Sequence, residues 1–147
     1  MDMSTKTNQN SNKNSAAGLL ALVPKNKFDD RNLDKINVLS DSEMQVIMKD
    51  LLEWTKDINW PIALPIINIL SKRENIVIPY LKEVFKSQDW EWETWILKYL
   101  VSGFTNESIN KIKKELKEIV YMDIVDDDFV ELQALIRELY IKCTQRE

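Results

Sequence analysis

The side chains that could do chemistry in this sequence are carboxylates, lysines, tyrosines and one thiol, because there is no histidine. That removes Ser-His-Asp and Cys-His nucleophile systems, imidazole general bases and histidine metal sites. The single cysteine, Cys143, cannot form an internal disulfide, which suits a reducing compartment. It follows Leu139 and Tyr140 at helical spacing and reads as a buried apolar residue. Gly18 and Gly103 are the only glycines, too few for a phosphate-cradling loop, a sandwich or a barrel. No catalytic residue, cofactor site or metal site is assigned.

Two constellations remain. Trp90, Glu91, Trp92, Glu93 and Trp95 lie within six residues. An aromatic–carboxylate cleft could hold a sugar or a flipped base. The plainer reading is core packing of a central helix with glutamates at its start. Trp92 is the hardest of the set to absorb, because Trp90 and Trp92 fall on opposite sides of that helix. The second set is Asp123, Asp126, Asp127, Asp128 and Glu131. It could attract calcium or magnesium, but it lacks the glycine-centred loop of an EF-hand, and a helix start with a solvated loop explains it. Lys111, Lys113, Lys114 and Lys117, with Lys72 and Arg73, form minor basic patches, the larger broken by Glu115 and Glu118. They read as solvated helix faces.

The elements that must position these groups are helices. The chain has 147 residues and 44% apolar content, enough for one domain with its own core. Residues 1–15 are Asn-, Ser-, Lys- and Thr-rich and read as a disordered tail, leaving 16–147 as a single domain. No signal peptide or membrane-length apolar run is visible, so a cytoplasmic location is expected. Asp29 or Asp30 is expected to cap a short helix near 30–38. Ser40-Asp41-Ser42-Glu43 has the capping-box form and opens a helix through Met44, Ile47, Leu51, Trp54 and Ile58. Pro61 suits the first turn of the next, through Ile66 and Leu70. Further helices are expected over Ile76–Lys86, from Asp89 to Phe104, from Asn106 to Val120, and from the Asp126-Asp127-Asp128 run to Cys143.

The chain also repeats itself. At a shift of 30 residues, Leu51, Glu53 and Asn59-Trp60 meet Leu81, Glu83 and Asp89-Trp90. A third copy aligns at shifts of 35 and 39, with Asp89-Trp90 meeting Asp128-Phe129 and a four-residue insertion around Met122 to Val125. Each unit reads helix, turn, Asn or Asp plus an aromatic, helix. One hairpin cannot bury its apolar face alone, so the units must stack. On a wheel through 90–102, apolar residues spread from Trp95 at about 140° round to Trp90 at 0°. Thr94, Lys98, Glu91 and Ser102 gather between about 40° and 120°. A helix wet on so narrow a strip belongs in the middle of a stack. Trp60 and Trp90 are expected to be buried corner residues.

Leu22-Val23-Pro24-Lys25, Leu51-Leu52-Glu53-Trp54, Asn59-Trp60-Pro61-Ile62-Ala63 and Trp95-Ile96-Leu97 together resemble a bacterial family of unknown function, over roughly residues 20–143. The resemblance implies a HEAT-like α-α superhelix and supplies no activity. The expected fold is therefore all-α: a right-handed stack of about three antiparallel helix pairs, over 40–73, 76–104 and 106–143, plus a short N-terminal helix.

Residues 29–147 carry 16 basic and 23 acidic side chains, a net −7, while residues 1–28 carry +3. An acidic body repels nucleic acid and suits a basic protein partner. In register, Asp57, Asp89 and Asp128 fall at corresponding or adjacent turns, so stacking would line one rim with carboxylates. The candidate partner-binding residues are Asp57, Asp89, Glu91, Trp92, Glu93, Asp126, Asp127 and Asp128. The expected role is a non-catalytic protein-binding module, in its concrete form an immunity protein against a basic toxin, as a monomer or weak homo-oligomer. The alternatives are a HEAT-like nucleic-acid-binding or DNA-glycosylase-type enzyme, and a self-assembling structural protein. Circular dichroism should show a helix-dominated spectrum; a strand content above about one-fifth, the ordinary average, would count against the whole reading.

Overall fold

A computed structural model of the chain describes residues 15–146. Apart from Ser15, the polar tail lies outside the described residues. Among these there are nine α-helices and no strand: α1 (Ala16–Leu20), α2 (Leu33–Asn37), α3 (Asp41–Glu53), α4 (Ala63–Leu70), α5 (Glu74–Val84), α6 (Trp90–Tyr99), α7 (Asn106–Lys111), α8 (Lys113–Val120) and α9 (Asp127–Arg146). A short 3₁₀ turn, Val101–Gly103, follows α6.

Local chemistry sets most of the helix starts. Ser15 accepts from the Gly18 amide and caps α1. Ser40 Oγ accepts from the Glu43 amide at 3.2 Å, and Glu43 accepts from the Ser40 amide at 2.9 Å, the reciprocal capping box at α3. Thr105 caps α7, and Asp89 caps α6 by accepting from the Trp92 amide. The expected cap at Asp29 or Asp30 is not formed: α2 begins after Asn32 with no side-chain cap. Asp29 instead accepts from the Lys25 amide and the Arg31 guanidinium, bracing the loop before α2. The Arg31 hydrogen bond, with that amide, holds its carboxyl down at about 2.

Several boundaries differ from expectation. The α3 helix stops at Glu53, and Pro61 stands two residues ahead of α4. The fourth expected helix begins at Glu74, which places Pro79 inside it, on an exposed position. The single helix expected over 106–120 breaks at the fully buried Ile112 (φ −111°, ψ 11°). Gln88, between α5 and α6, takes φ 62°, a left-handed conformation that turns the chain at modest cost to a side-chain-bearing residue.

Helix α1 lies on α3, α3 on α5 and α5 on α7; α2 lies on α4, and α6 on α9 with the most extensive contact of all. The core runs through Ile47, Leu51, Ile66, Leu70, Leu81, Ile96, Leu100, Leu116, Phe129 and Ile136, all essentially inaccessible to solvent. Two edges are stitched by side chains. On one, Arg73 donates to Asp41 and to the Asn37 and Leu39 carbonyls, and the Thr105 amide donates to Glu74. Arg73 thus belongs to the scaffold, and the basic patch expected there loses its strongest member.

On the other edge, Trp92 Nε1 donates to Thr55 Oγ1 at 2.9 Å, and the Thr55 hydroxyl donates on to the Leu52 carbonyl at 2.6 Å. Trp90 and Phe129 meet edge to face with centroids 4.8 Å apart. The corner aromatics of the second and third units therefore touch. Trp60 turns inward to Trp54 instead, at 5.6 Å. Trp60 and Trp90 are half-buried rather than buried, because each sits where a turn meets the rim. Trp92→Ala should cost about 3–5 kcal/mol, the range for a buried large aromatic. Trp60→Ala, with one side already wet, should cost visibly less. Urea titration of both variants checks the ranking, and equal losses would mean that the Trp92–Thr55 joint has no special weight.

Candidate functional site

The edge that carries Thr55, Trp92, Trp90 and Phe129 also carries the candidate carboxylates. The turn after α3 reaches the first turn of α6, and the start of α6 reaches the start of α9. Asp57, Asp89 and Asp126 thereby belong to neighbouring turns. Each has a local task. Asp57 accepts from the Asn59 amide at 2.9 Å, Asp89 from the Trp92 amide at 3.2 Å, and Asp126 from the Asp128 amide at 2.9 Å. These bonds close turns and caps, and each leaves the carboxylate further acceptor capacity. Glu91, Asp127 and Asp128 are exposed and form no ion pair among the described residues. A cation lies close to this edge: Lys56 pairs with Glu53 at 2.6 Å and lies 4.9 Å from the centre of the Trp92 ring.

Two of the candidate residues cannot meet a partner at this surface. Trp92 is 8% exposed, its indole spent on Thr55 and its face covered by Lys56. Glu93 is completely buried. The expectation that Trp92 would resist absorption is corrected here, because a threonine 37 residues upstream supplies the acceptor its N–H needs. Thr94, placed on the wet strip, is buried too, and donates to the Trp90 carbonyl. The position of Glu93 on the helix wheel already marks it for burial. Three residues beyond Trp90 it falls at about 300°, between Leu100 and Leu97 on the apolar face.

Both Glu93 carboxyl oxygens, Trp95 Nε1 and one oxygen of the buried Glu115 have no hydrogen-bond partner. Burial, with the Asp89 charge adding to it, pushes the Glu93 carboxyl up to about 8. At neutral pH it is mostly uncharged. Near α9, burial, Cys143 and Glu115 push the Tyr140 phenol up to about 12, so it stays a neutral donor to the Lys113 carbonyl at 3.2 Å. Among the described residues no cluster of three acidic or cysteine side chains could hold a metal. No helix among them is long and apolar enough to cross a membrane.

Exposed apolar residues are the feature sequence reasoning noticed least. Tyr121 is 82% exposed and Val125 fully exposed, with Met122 and Ile124 partly so, in the segment between α8 and α9. The signal was the four-residue insertion in the repeat register.

A family model described as a domain of unknown function (DUF5071) matches residues 22–140. Comparison with curated proteins finds no match.

The buried Glu93 predicts an unusual pH dependence. The unfolded chain ionises this group near about 4.3. Between there and about 8 the folded state holds a proton that the unfolded state has lost, so stability declines as pH rises and levels off above that window. The contribution lost between pH 5 and 8 is on the order of 3 kcal/mol. Glu93→Gln should match the parent near pH 5 and be more stable at pH 8. Parallel stability–pH curves for the two proteins would show that Glu93 is ionised in the fold.

Proposed function

The chain belongs to the DUF5071 family, and we propose that it is a non-catalytic protein-binding module that docks a basic protein through its acidic turn edge. In this reading the packed helix units form a HEAT-like α-α superhelix, and the protein works in the cytoplasm. One observation carries the proposal: the side-chain joints Thr55–Trp92 and Trp90–Phe129 draw three separate turns onto one edge, and each turn brings carboxylates with it. Asp57, Asp89, Glu91, Asp126, Asp127 and Asp128 then act as one field. Grouped charges of one sign steer an oppositely charged partner and raise its association rate.

An immunity protein that neutralises a basic toxin is the concrete form of this reading. Such a partner must be captured quickly and held tightly, and an acidic edge supplies the first requirement. The second needs desolvated contacts, because exposed charge pairs alone add little affinity.

The test is kinetic. A partner recovered from the native host should associate at least about tenfold faster at low salt than at physiological ionic strength. Replacing Glu91, Asp127 and Asp128 by Lys should slow that association without lowering stability much, since none is the capping residue that closes its helix start. Asp89 and Asp126 are better changed to Asn, which can still cap. A reversed variant that associates as fast as the parent at low salt would reduce the edge to a solvated rim.

A further inference from the structure

Residues 121–128 read Tyr-Met-Asp-Ile-Val-Asp-Asp-Asp, four carboxylates with no cation. This segment holds the four-residue insertion of the third unit. Its apolar side chains face solvent: Tyr121 is 82% exposed and Val125 100%, with Met122, Ile124 and the nearby Val130 also open. Among the described residues, five of the twelve large exposed apolar side chains therefore fall within ten residues. Scattered singly they would need no explanation; gathered in one segment they mark a contact surface.

The segment is held in place at both ends. Gln133 Nε2 reaches back from α9 to the carbonyls of Ile119, Val120 and Met122, at 3.0, 3.0 and 3.1 Å. Asp126 Oδ1 accepts from the Asp128 amide at the start of α9, and the Asp126 carbonyl accepts from Val130. Residues 123–125 thus bridge two fixed points. A short span between fixed points has less freedom to lose on docking than a free tail. On the α8 side, Lys113, Lys114, Lys117 and Glu118 line an open depression of about 660 Å³ with Tyr121 and Met122. The acidic residues lie on the α9 side.

We propose that the Tyr121–Val125 segment is the apolar anchor of the docking surface, and that its occupant is a protein presenting an apolar pocket rimmed by lysine or arginine. This rests on the acidic-edge reading and adds to it the desolvated contact which that reading requires. The charge pattern selects the occupant. Asp123, Asp126, Asp127 and Asp128 flank the apolar side chains and complement a basic rim, while the α8 lysines beside Tyr121 and Met122 repel that rim and leave Ile124 and Val125 as the side chains it covers.

The test uses two peptide probes of equal positive charge, one an amphipathic lysine–leucine peptide and the other lysine–serine. The parent protein should bind the lysine–leucine peptide about tenfold more tightly, as expected for added buried apolar area. Backbone amide shifts should centre on residues 121–130. The double variant Ile124→Ser with Val125→Ser should lose that preference and bind both peptides alike, with an unchanged thermal transition and far-ultraviolet spectrum. Asp127→Asn with Asp128→Asn should weaken both peptides together. Equal binding of the two peptides by the parent, still sensitive to the Asp variants, overturns the anchor and leaves the acidic edge standing. Failure of both peptides to bind overturns the anchor and the acidic edge together. A concentration-dependent mass increase by light scattering, abolished in the Ile124/Val125 variant, would assign the segment to a second copy of the chain and overturn the proposed occupant.

Discussion

The joint between Trp92 and Thr55 is the contact on which the arrangement of this domain turns. A tryptophan at the start of α6 must bury its large apolar area without stranding an N–H in the core. Thr55 resolves both demands: its oxygen accepts the indole proton while its own hydroxyl donates to the Leu52 carbonyl. The result is a short, fully satisfied polar chain inside an apolar joint. It fixes where the first unit sits on the second. Lys56, one residue on, closes the outer face of the same ring.

The position of the acidic edge follows from that joint. Carboxylates at helix starts are ordinary, since they complement unpaired amides and the positive dipole end. Asp89 and Asp126 are there for that reason. What is not ordinary is their adjacency, which depends on Trp92 meeting Thr55 and Trp90 meeting Phe129. The same residues thus serve the fold one at a time and shape the surface field together.

Glu93 shows the opposite balance. It occupies the centre of the buried face of α6, where a leucine would pack without penalty, and neither of its oxygens is bonded. Burial disfavours its charged form and pushes the carboxyl up to about 8. With its charge suppressed it contributes nothing to the surface field, in contrast to Glu91 two residues away.

Sequence alone determined the elements whose causes are local. The capping box at Ser40 and Glu43, the cap at Asp89, the acidic start of α9 and the apolar spacing through Ile47, Leu51, Ile66 and Leu70 all act within a few residues. Physics of that range can be read along the chain. The repeat register also pointed to Trp90 and Phe129 as equivalent corners, and these two touch. Tertiary structure alone decided which polar residues lie inside. The burial of Trp92 hangs on Thr55, 37 residues distant, and Glu93 on the same helix is closed off from solvent as well. It also decided that α7 and α8 part at Ile112, and that the apolar residues after α8 face water. Burial depends on which surfaces meet, and a one-dimensional pattern specifies a face without naming what covers it.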